Sequence, residues 1–220
     1  MCIRDRYIIS NGAELRYFAD EITNGENFYN KYIDISDDIY LNDVTNYSEW
    51  SKSQSPQNIW EPIGGNFAGT LDGNGHSIVG VYINSNEDKT GFFRELSLNS
   101  IPTIKNIQLK NIFVAGESQT GGLVGHATFL DCTNVTVMGK ISGKDSVGGF
   151  VGDGVGRRIT GPINFVNCSN YASVEGKENK VGGIIGNYSN SGSTNDKLLI
   201  NNCRNSGSVS GLSLIHISEP

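Results

Sequence analysis

The sequence predicts an all-β protein, a right-handed parallel β-helix (a β-solenoid) with a short N-terminal capping helix. Three observations lead to this fold class. Glycine supplies 28 of 220 residues and charged residues only 18%, whereas glycine averages about 7% in ordinary proteins. A glycine motif recurs at steps of 27 and 34 residues, since its second glycines are residues 122, 149 and 183. No helical period separates its copies, so βαβ units are not predicted.

The composition excludes several classes of protein. Twenty-five asparagines beside so few charged residues disfavour a helical bundle or a coiled coil. The regular spacing of apolar residues disfavours disorder. No apolar run approaches the ~20 residues of a membrane-spanning helix, so we expect no membrane-spanning segment. A net charge of −6 argues against nucleic acid as a partner.

The two ends of the chain have an unusual pattern. Met1–Arg6 is a translation of ATGTGTATAAGAGACAGN, and Leu212–Ser218 is a translation of CTGTCTCTTATACACATCTNN. These DNA strings are reverse complements of one another apart from the codons at the edge, and they resemble a sequencing adapter. We therefore expect residues 1–6 and 212–220 to be adapter artefacts, and the remainder to be an internal, metagenomic fragment of a longer reading frame.

Residues 7–59 are expected to form an N-terminal cap, and one helix is predicted within them at about residues 12–24. Asn11 is the expected N-cap, and Glu14 completes a variant of the capping box. Gly25 is the expected residue just beyond the C-cap. The helix has one apolar face to bury, formed by Leu15, Phe18, Ala19 and Ile22.

The remainder of this cap is expected to be extended. Strands are predicted at about Tyr32–Ile35 and Asp38–Leu41. The polar stretch from Asn42 to Asn58 is predicted to be a long loop.

Residues 60–211 repeat two short elements. The first is the glycine motif, whose candidate structural residues are Gly121, Gly122, Gly125, Gly148, Gly149, Gly152, Gly182, Gly183 and Gly186. The second is a cysteine between polar residues, at Cys132, Cys168 and Cys203. The cysteine steps are 36 and 35 residues by these numbers, and we interpret the three cysteines as one repeat position.

A repeat of this length cannot bury its own apolar face, but stacked copies can. Each strand would pair with its counterpart in the next copy, and inward side chains would form continuous ladders. The usual crossover rule favours a right-handed path. The glycine doublets are expected where the chain turns with positive φ, and asparagine is the next best residue in that conformation. A β-sandwich is the alternative, although its strands would not repeat at a regular step.

The glycine copies at 120–125, 147–152 and 181–186 resemble the GLUG motif. The segments Trp60–Gly64 and Phe67–Ile78 resemble what commonly precedes such repeats in bacterial surface proteins. This resemblance implies a β-solenoid region of a secreted or cell-surface bacterial protein, often a large adhesin-like one. Some IgA-cleaving metallopeptidases also carry such repeats, away from their catalytic domain. The family has no established catalytic residues to transfer to this chain.

Residues with reactive side chains do not form a recognisable catalytic pattern. The three cysteines are expected to be reduced and buried in one interior column, because parallel in-register thiols are poorly placed for a disulfide. His76 and His126 are expected to be solvent-facing turn residues. Asp72–Gly75 has oxygen ligands that calcium prefers, but turn chemistry explains it without an ion. We expect no catalytic, cofactor-binding or metal-binding residues and no cofactor.

Two functions remain open at this point. The first is a non-catalytic repeat module of a secreted or surface protein, serving as a stalk, in adhesion or in ligand presentation. Its partners would be further repeats of the same chain and an unknown extracellular ligand, with a host protein or a glycan possible. The alternative is a carbohydrate-binding or carbohydrate-active β-helix similar to polysaccharide lyases and hydrolases, which need clustered acidic and basic side chains on one face.

Overall fold

The computed structural model describes residues 6–97, 101–156, 162–190 and 198–211. Those residues form strands for the most part, with one α-helix. In chain order the elements are β1 (Arg6–Ile9), α1 (Gly12–Thr23), β2 (Tyr32–Ile35), β3 (Ile39–Tyr40), a 3₁₀ turn (Tyr47–Glu49), β4 (Thr70–Asp72), β5 (Ser77–Val79), β6 (Tyr82–Asn84), β7 (Phe93–Leu96), β8 (Thr103–Lys105), β9 (Gln108–Ala115), β10 (Thr120–Gly121), β11 (Val124–Ala127), β12 (Leu130–Thr133), β13 (Thr136–Gly143), β14 (Val147–Gly148), β15 (Val151–Gly156), β16 (Ile163–Val166), β17 (Ser169–Asn170), β18 (Ser173–Gly176), β19 (Val181–Gly182), β20 (Ile185–Asn190), β21 (Leu198–Asn201), β22 (Arg204–Asn205) and β23 (Val209–Ser210).

These strands form four parallel sheets. The first has the order β1-β2-β4-β8-β12-β16-β21, and the second has the order β3-β5-β9-β13-β17-β22, with β6 paired to β9 and β18 paired to β13 and β23. The third sheet is β10-β14-β19, and the fourth is β7-β11-β15-β20. Successive segments of chain visit the sheets in the same sequence, and we call each such segment a layer. Parallel strands in matching register are the predicted arrangement, and they are compatible with a β-helix-like fold.

Inward side chains of successive layers lie above one another. In the first sheet Ile104 pairs with Cys132, Cys132 with Phe165, and Phe165 with Ile200. All of them except Ile200 are fully buried. Burying one such apolar side chain contributes about 1.5–3 kcal/mol, so each member of this column stabilises the stack.

Helix α1 has the caps that the sequence predicts. The Asn11 side chain accepts hydrogen bonds from the backbone N–H groups of Ala13 and Glu14. The Glu14 carboxylate accepts from the backbone and hydroxyl of Ser10, one residue before the N-cap. Gly25 has φ +107°, and its N–H donates to the carbonyl of Ile22. The four predicted apolar residues are buried and pack on the core: Leu15, Phe18, Ala19 and Ile22.

Asparagines take the turn positions that the sequence predicts for them. Asn106, Asn134, Asn167 and Asn202 have φ between 51° and 56°. The amide of each later asparagine donates to the side-chain oxygen of the one before, at 2.6–3.1 Å. This ladder joins successive layers at one corner, where asparagine adopts the left-handed conformation at less cost than most residues do.

The segment 42–58, predicted to be a long polar loop, makes specific contacts with the repeats. Its Trp50 packs edge-on against Tyr82, whose ring stacks on Phe113 at 4.9 Å. The Tyr82 hydroxyl donates to the carbonyl of Ser51 at 2.7 Å, and Lys140 donates to that of Ser48 at 2.8 Å. These contacts attach the segment to the repeats and create a second, smaller apolar cluster.

Candidate functional site

A row of polar side chains crosses the fourth sheet at equivalent positions of its four strands. Glu95 pairs in register with His126, His126 with Asp153, and Asp153 with Asn187. We call these four residues the polar row. The glycine motifs predict this alignment, because each of the four residues stands two positions after the last apolar residue of its motif copy. The prediction that His126 is a solvent-facing turn residue is wrong, because it lies in β11 with its side chain largely buried.

Asp153 lies at the centre of this row. Its Oδ2 lies 3.2 Å from His126 Nδ1 and accepts from the Gln119 amide at 3.0 Å, while its Oδ1 accepts from the Asn187 amide at 2.6 Å. The His126 and Asp153 side chains are only 12% and 10% exposed. Burial alone would raise the pKa of Asp153, but hydrogen bonds from His126, Asn187 and Gln119 outweigh it and lower the pKa.

Glu95 extends the row toward a lysine. Its Oε2 lies 2.8 Å from Lys89 Nζ. Burial opposes ionisation of this carboxyl too, yet hydrogen bonds with Lys89 and Ser97 and the charges of Lys89 and His126 lower its pKa. The row therefore contains two ionised carboxylates at neutral pH, each beside a basic side chain. His76 lies, as predicted, in the turn before β5, 3.6 Å from Asp38 Oδ1.

Acidification should weaken the fold through this row. A carboxyl with a lowered folded pKa stabilises the protein above its unfolded pKa of about 4, and this stabilisation is lost as the pH falls through the folded pKa. We expect Tm to decrease below about pH 4–5, and to decrease less steeply in Asp153→Asn, which has one fewer carboxyl to protonate. Thermal unfolding followed by circular dichroism between pH 7 and pH 3 measures this.

The matched control is Glu175→Gln, which removes an exposed carboxylate of β18. It should keep the wild-type dependence of Tm on pH. Equal slopes for wild type and Asp153→Asn would contradict the role assigned to the row.

The predicted glycines lie at the corner between the third and fourth sheets, but the reason expected for them is wrong. None of the nine has positive φ; that conformation belongs to the residues just before each motif copy, Gln119, Ser146 and Lys180. The glycines are required by close approach. A Cβ on Gly121 would lie 2.2 Å from the Val124 oxygen.

The same restriction applies at the other glycines of the motif. A Cβ on Gly148 or Gly182 would meet the carbonyl oxygen three residues later at 2.0 Å. At the second positions, Gly122 and Gly149 face the backbone oxygen of the next layer's glycine at 2.5 and 2.1 Å. The remaining members face the Asn205 side chain or the backbone of a neighbouring layer at 2.3–2.5 Å: Gly183, Gly125, Gly152 and Gly186. No side chain fits at these glycine positions without a neighbouring atom moving.

The three cysteines are close in space but do not occupy one repeat position. Cys132 pairs in register with Phe165, whereas Cys168 precedes Ser169, which pairs with both Thr136 and Arg204. Cys168 therefore occupies the same register position as Cys203, whereas Cys132 lies three residues before that position. The single-column prediction is wrong for Cys132.

The thiols nevertheless contact one another. The sulfurs of Cys132 and Cys168 are 3.7 Å apart, and the Cys168 N–H donates to the Cys203 sulfur at 3.4 Å. Cys132 and Cys168 are buried, and Cys203 is half-buried in the last layer. Burial raises the pKa of the Cys132 thiol.

Comparison with known proteins supports the fold more strongly than any activity. No family model matches the chain. A segment of 111 residues, 50% of the chain, is 32% identical to halomucin of Haloquadratum walsbyi (strain DSM 16790 / HBSQ001), of which it spans 1%. A crystal structure of a putative immunoglobulin A1 protease from Bacteroides ovatus superposes with a TM-score of 0.67 over 94% of the chain and 58% of that protein. Its sequence identity is 21%, so this likeness concerns the fold alone.

Clusters of metal ligands and membrane-spanning helices are absent from the parts of the chain that the structure describes. In those parts, no three His, Cys, Asp or Glu side chains converge as metal ligands. The helices described there are too short or too polar to cross a bilayer.

Proposed function

We propose that the chain is a non-catalytic repeat module of a secreted or cell-surface bacterial protein, built as a right-handed parallel β-helix of GLUG-type repeats. It would serve as a stalk, in adhesion or in ligand presentation. The observation that carries the proposal is the in-register stacking of successive layers in all four sheets. A stack of this kind gains length by adding layers without a new core, which suits a spacer.

The comparisons support an extracellular setting. Half of the chain is similar to a protein named as a mucin, and the chain spans a very small part of that protein. The proposal also concerns the whole protein, which would contain further repeats and bind an extracellular ligand. The acidic net charge supports a partner other than nucleic acid.

The polar row is the strongest argument for the alternative, a carbohydrate-active β-helix, because it combines two carboxylates with a histidine. Glycoside hydrolysis needs one carboxyl held protonated as a general acid, which requires a raised pKa. Both carboxylates of the row have lowered pKa values instead. Hydrogen bonds that join His126 and Asn187 to Asp153 favour a role in joining layers.

The proposal is tested by measuring turnover. We expect the purified chain to release no product from libraries of polysaccharides and peptides, and Asp153→Asn and His126→Ala to behave identically to wild type. Reducing-sugar and fluorogenic-peptide assays measure this. Turnover by wild type that is lost in Asp153→Asn, with Glu175→Gln still active, would establish the enzymatic alternative instead.

A further inference from the structure

Two open clefts lie side by side where helix α1 meets the segment 57–60. Their volumes are about 480 and 440 Å³, within the range of about 300–1,000 Å³ that is usual for ligand pockets. They share a wall formed by Arg16, Ile59 and Trp60. We call the one that also contacts Tyr40 the α1 cleft. It lies in the N-terminal part of the chain, apart from the polar row.

Arg16 is held in a defined position in this wall. Its guanidinium carbon lies 4.1 Å from the centre of the Trp60 ring, and one of its nitrogens donates to the Ile59 carbonyl at 3.4 Å. The Trp60 ring stacks against Phe92 at 5.1 Å with an interplanar angle of 3°. Arg16 is the one lining residue of the α1 cleft that carries a charge at neutral pH. A guanidinium fixed in this way retains donors in the planar fork that matches a carboxylate.

The wall contains an unsatisfied donor as well. Trp60 is 3% exposed, and its indole N–H has no acceptor among the described residues. A buried donor without a partner costs free energy. The wall of the cleft therefore contains one buried polar group to which the described residues offer no hydrogen-bond acceptor.

Four of the six backbone polar groups of residues 58–60 form hydrogen bonds within the protein. The side chain of Asn42 accepts from the Asn58 N–H and donates to the Asn58 carbonyl, and the Trp60 N–H donates to Tyr82. The Ile59 carbonyl is taken by Arg16. Side chains therefore provide most of the groups that a ligand could contact along this segment.

The side chains that a ligand could contact in the α1 cleft include one exposed aromatic ring and two amides. Tyr40 is 68% exposed, and its hydroxyl makes no hydrogen bond within the described residues. Gln57 and Asn58 line the same cleft with exposed side chains, although the Asn58 amide nitrogen already donates to the Leu41 carbonyl at 2.8 Å. Amides both donate and accept, as sugar hydroxyls do, and a tyrosine offers an apolar face with a polar tip.

We propose that the α1 cleft binds an acidic oligosaccharide, with a sugar ring against Tyr40 and a carboxylate on Arg16. The inference goes beyond the proposed function, which assigns no ligand. An exposed aromatic ring and neutral amides beside a single guanidinium favour a sugar over an acidic peptide.

The experiment titrates the full chain with trigalacturonic acid and, as the neutral counterpart, maltotriose, by isothermal calorimetry. We expect the acidic sugar to bind at least about tenfold more tightly, as one charged hydrogen-bonded contact allows. Tyr40→Ala should weaken its binding by about tenfold. Arg16→Gln should remove the preference for the acidic sugar, and Arg16→Lys should retain part of it because it keeps the charge without the fork.

The matched control is Tyr17→Ala, which removes an exposed tyrosine of the same helix that does not line either cleft. It should bind as wild type does, and melting curves should show that every variant is folded. No binding at millimolar concentration, equal binding of the neutral sugar, or unchanged binding in Tyr40→Ala would overturn the proposal. Equally tight binding of triglutamate, with the same sensitivity to Tyr40→Ala, would assign the cleft to acidic peptides instead.

Discussion

Gly149→Ala should destabilise the protein by about 3 kcal/mol, the cost typical of forcing atoms into a filled interior. For a protein of this length that corresponds to a decrease in Tm of about 6–12 °C. The added Cβ would lie 2.1 Å from the Gly183 carbonyl oxygen and 2.7 Å from the side-chain amide carbon of Asn170. Asn170 cannot move freely, because its amide already bonds Asn205 and Ala172. Thermal and urea unfolding measure the change.

Gly64→Ala is the matched control for this substitution. It makes the same chemical change at a residue without positive φ, and its Cβ would meet only the Thr23 side chain at ordinary contact distances of 3.5 and 3.6 Å. Its free energy of unfolding should change by less than about 1 kcal/mol. Similar small effects at both positions would show that the layers can separate at the corner, and that the close-approach account of the glycine motif is wrong.

The protein should self-associate through its last described layer. Within the described residues, β21, β22 and β23 pair with strands of the preceding layer only. Ile200 and Val209 are 48% and 42% exposed, although their register partners Phe165 and Val174 are buried. An open strand edge with an uncovered apolar column favours pairing with another chain. Sedimentation velocity over a concentration series should show oligomers.

Placing charges on this edge should abolish the association. The double variant Ile200→Lys with Val209→Lys should raise the dissociation constant by about a hundredfold or more, because lysine is costly to bury unpaired. Tyr17→Lys, on the exposed face of α1, should associate as wild type does. Removing residues 212–220 should not change the result. A clean wild-type monomer at high concentration, with slow amide exchange in β21–β23, would show that the edge is already protected.

Features that depend on neighbouring residues in the chain were predictable from the sequence. The apolar spacing of α1 and its Asn11 cap are local, and the structure has both. The left-handed asparagines were predictable because that preference belongs to the residue itself. Parallel, register-matched strands followed from the repetition of the glycine motif, since equivalent sequences pair with one another when copies stack.

The register of individual residues was harder to predict, because similar short sequences can lie on either side of a corner. Asn134 and Asn167 are 33 residues apart by their numbers, whereas Cys132 and Cys168 are 36 apart. The difference of three arises because Cys132 precedes its asparagine by two residues, whereas Cys168 and Cys203 each follow theirs by one. Sequence similarity around a cysteine therefore predicted the register less well than the position of the nearby asparagine did.

The sequence by itself determined which elements form and that they stack, because both follow from local conformation and from repetition. Only the tertiary structure decided which residues of neighbouring layers contact one another. It brought His126 against Asp153, it made the glycines necessary by contact and not by φ, and it formed a cleft from Arg16, Tyr40 and Trp60. Those outcomes depend on distances between residues far apart in the chain, which packing determines and no local pattern encodes.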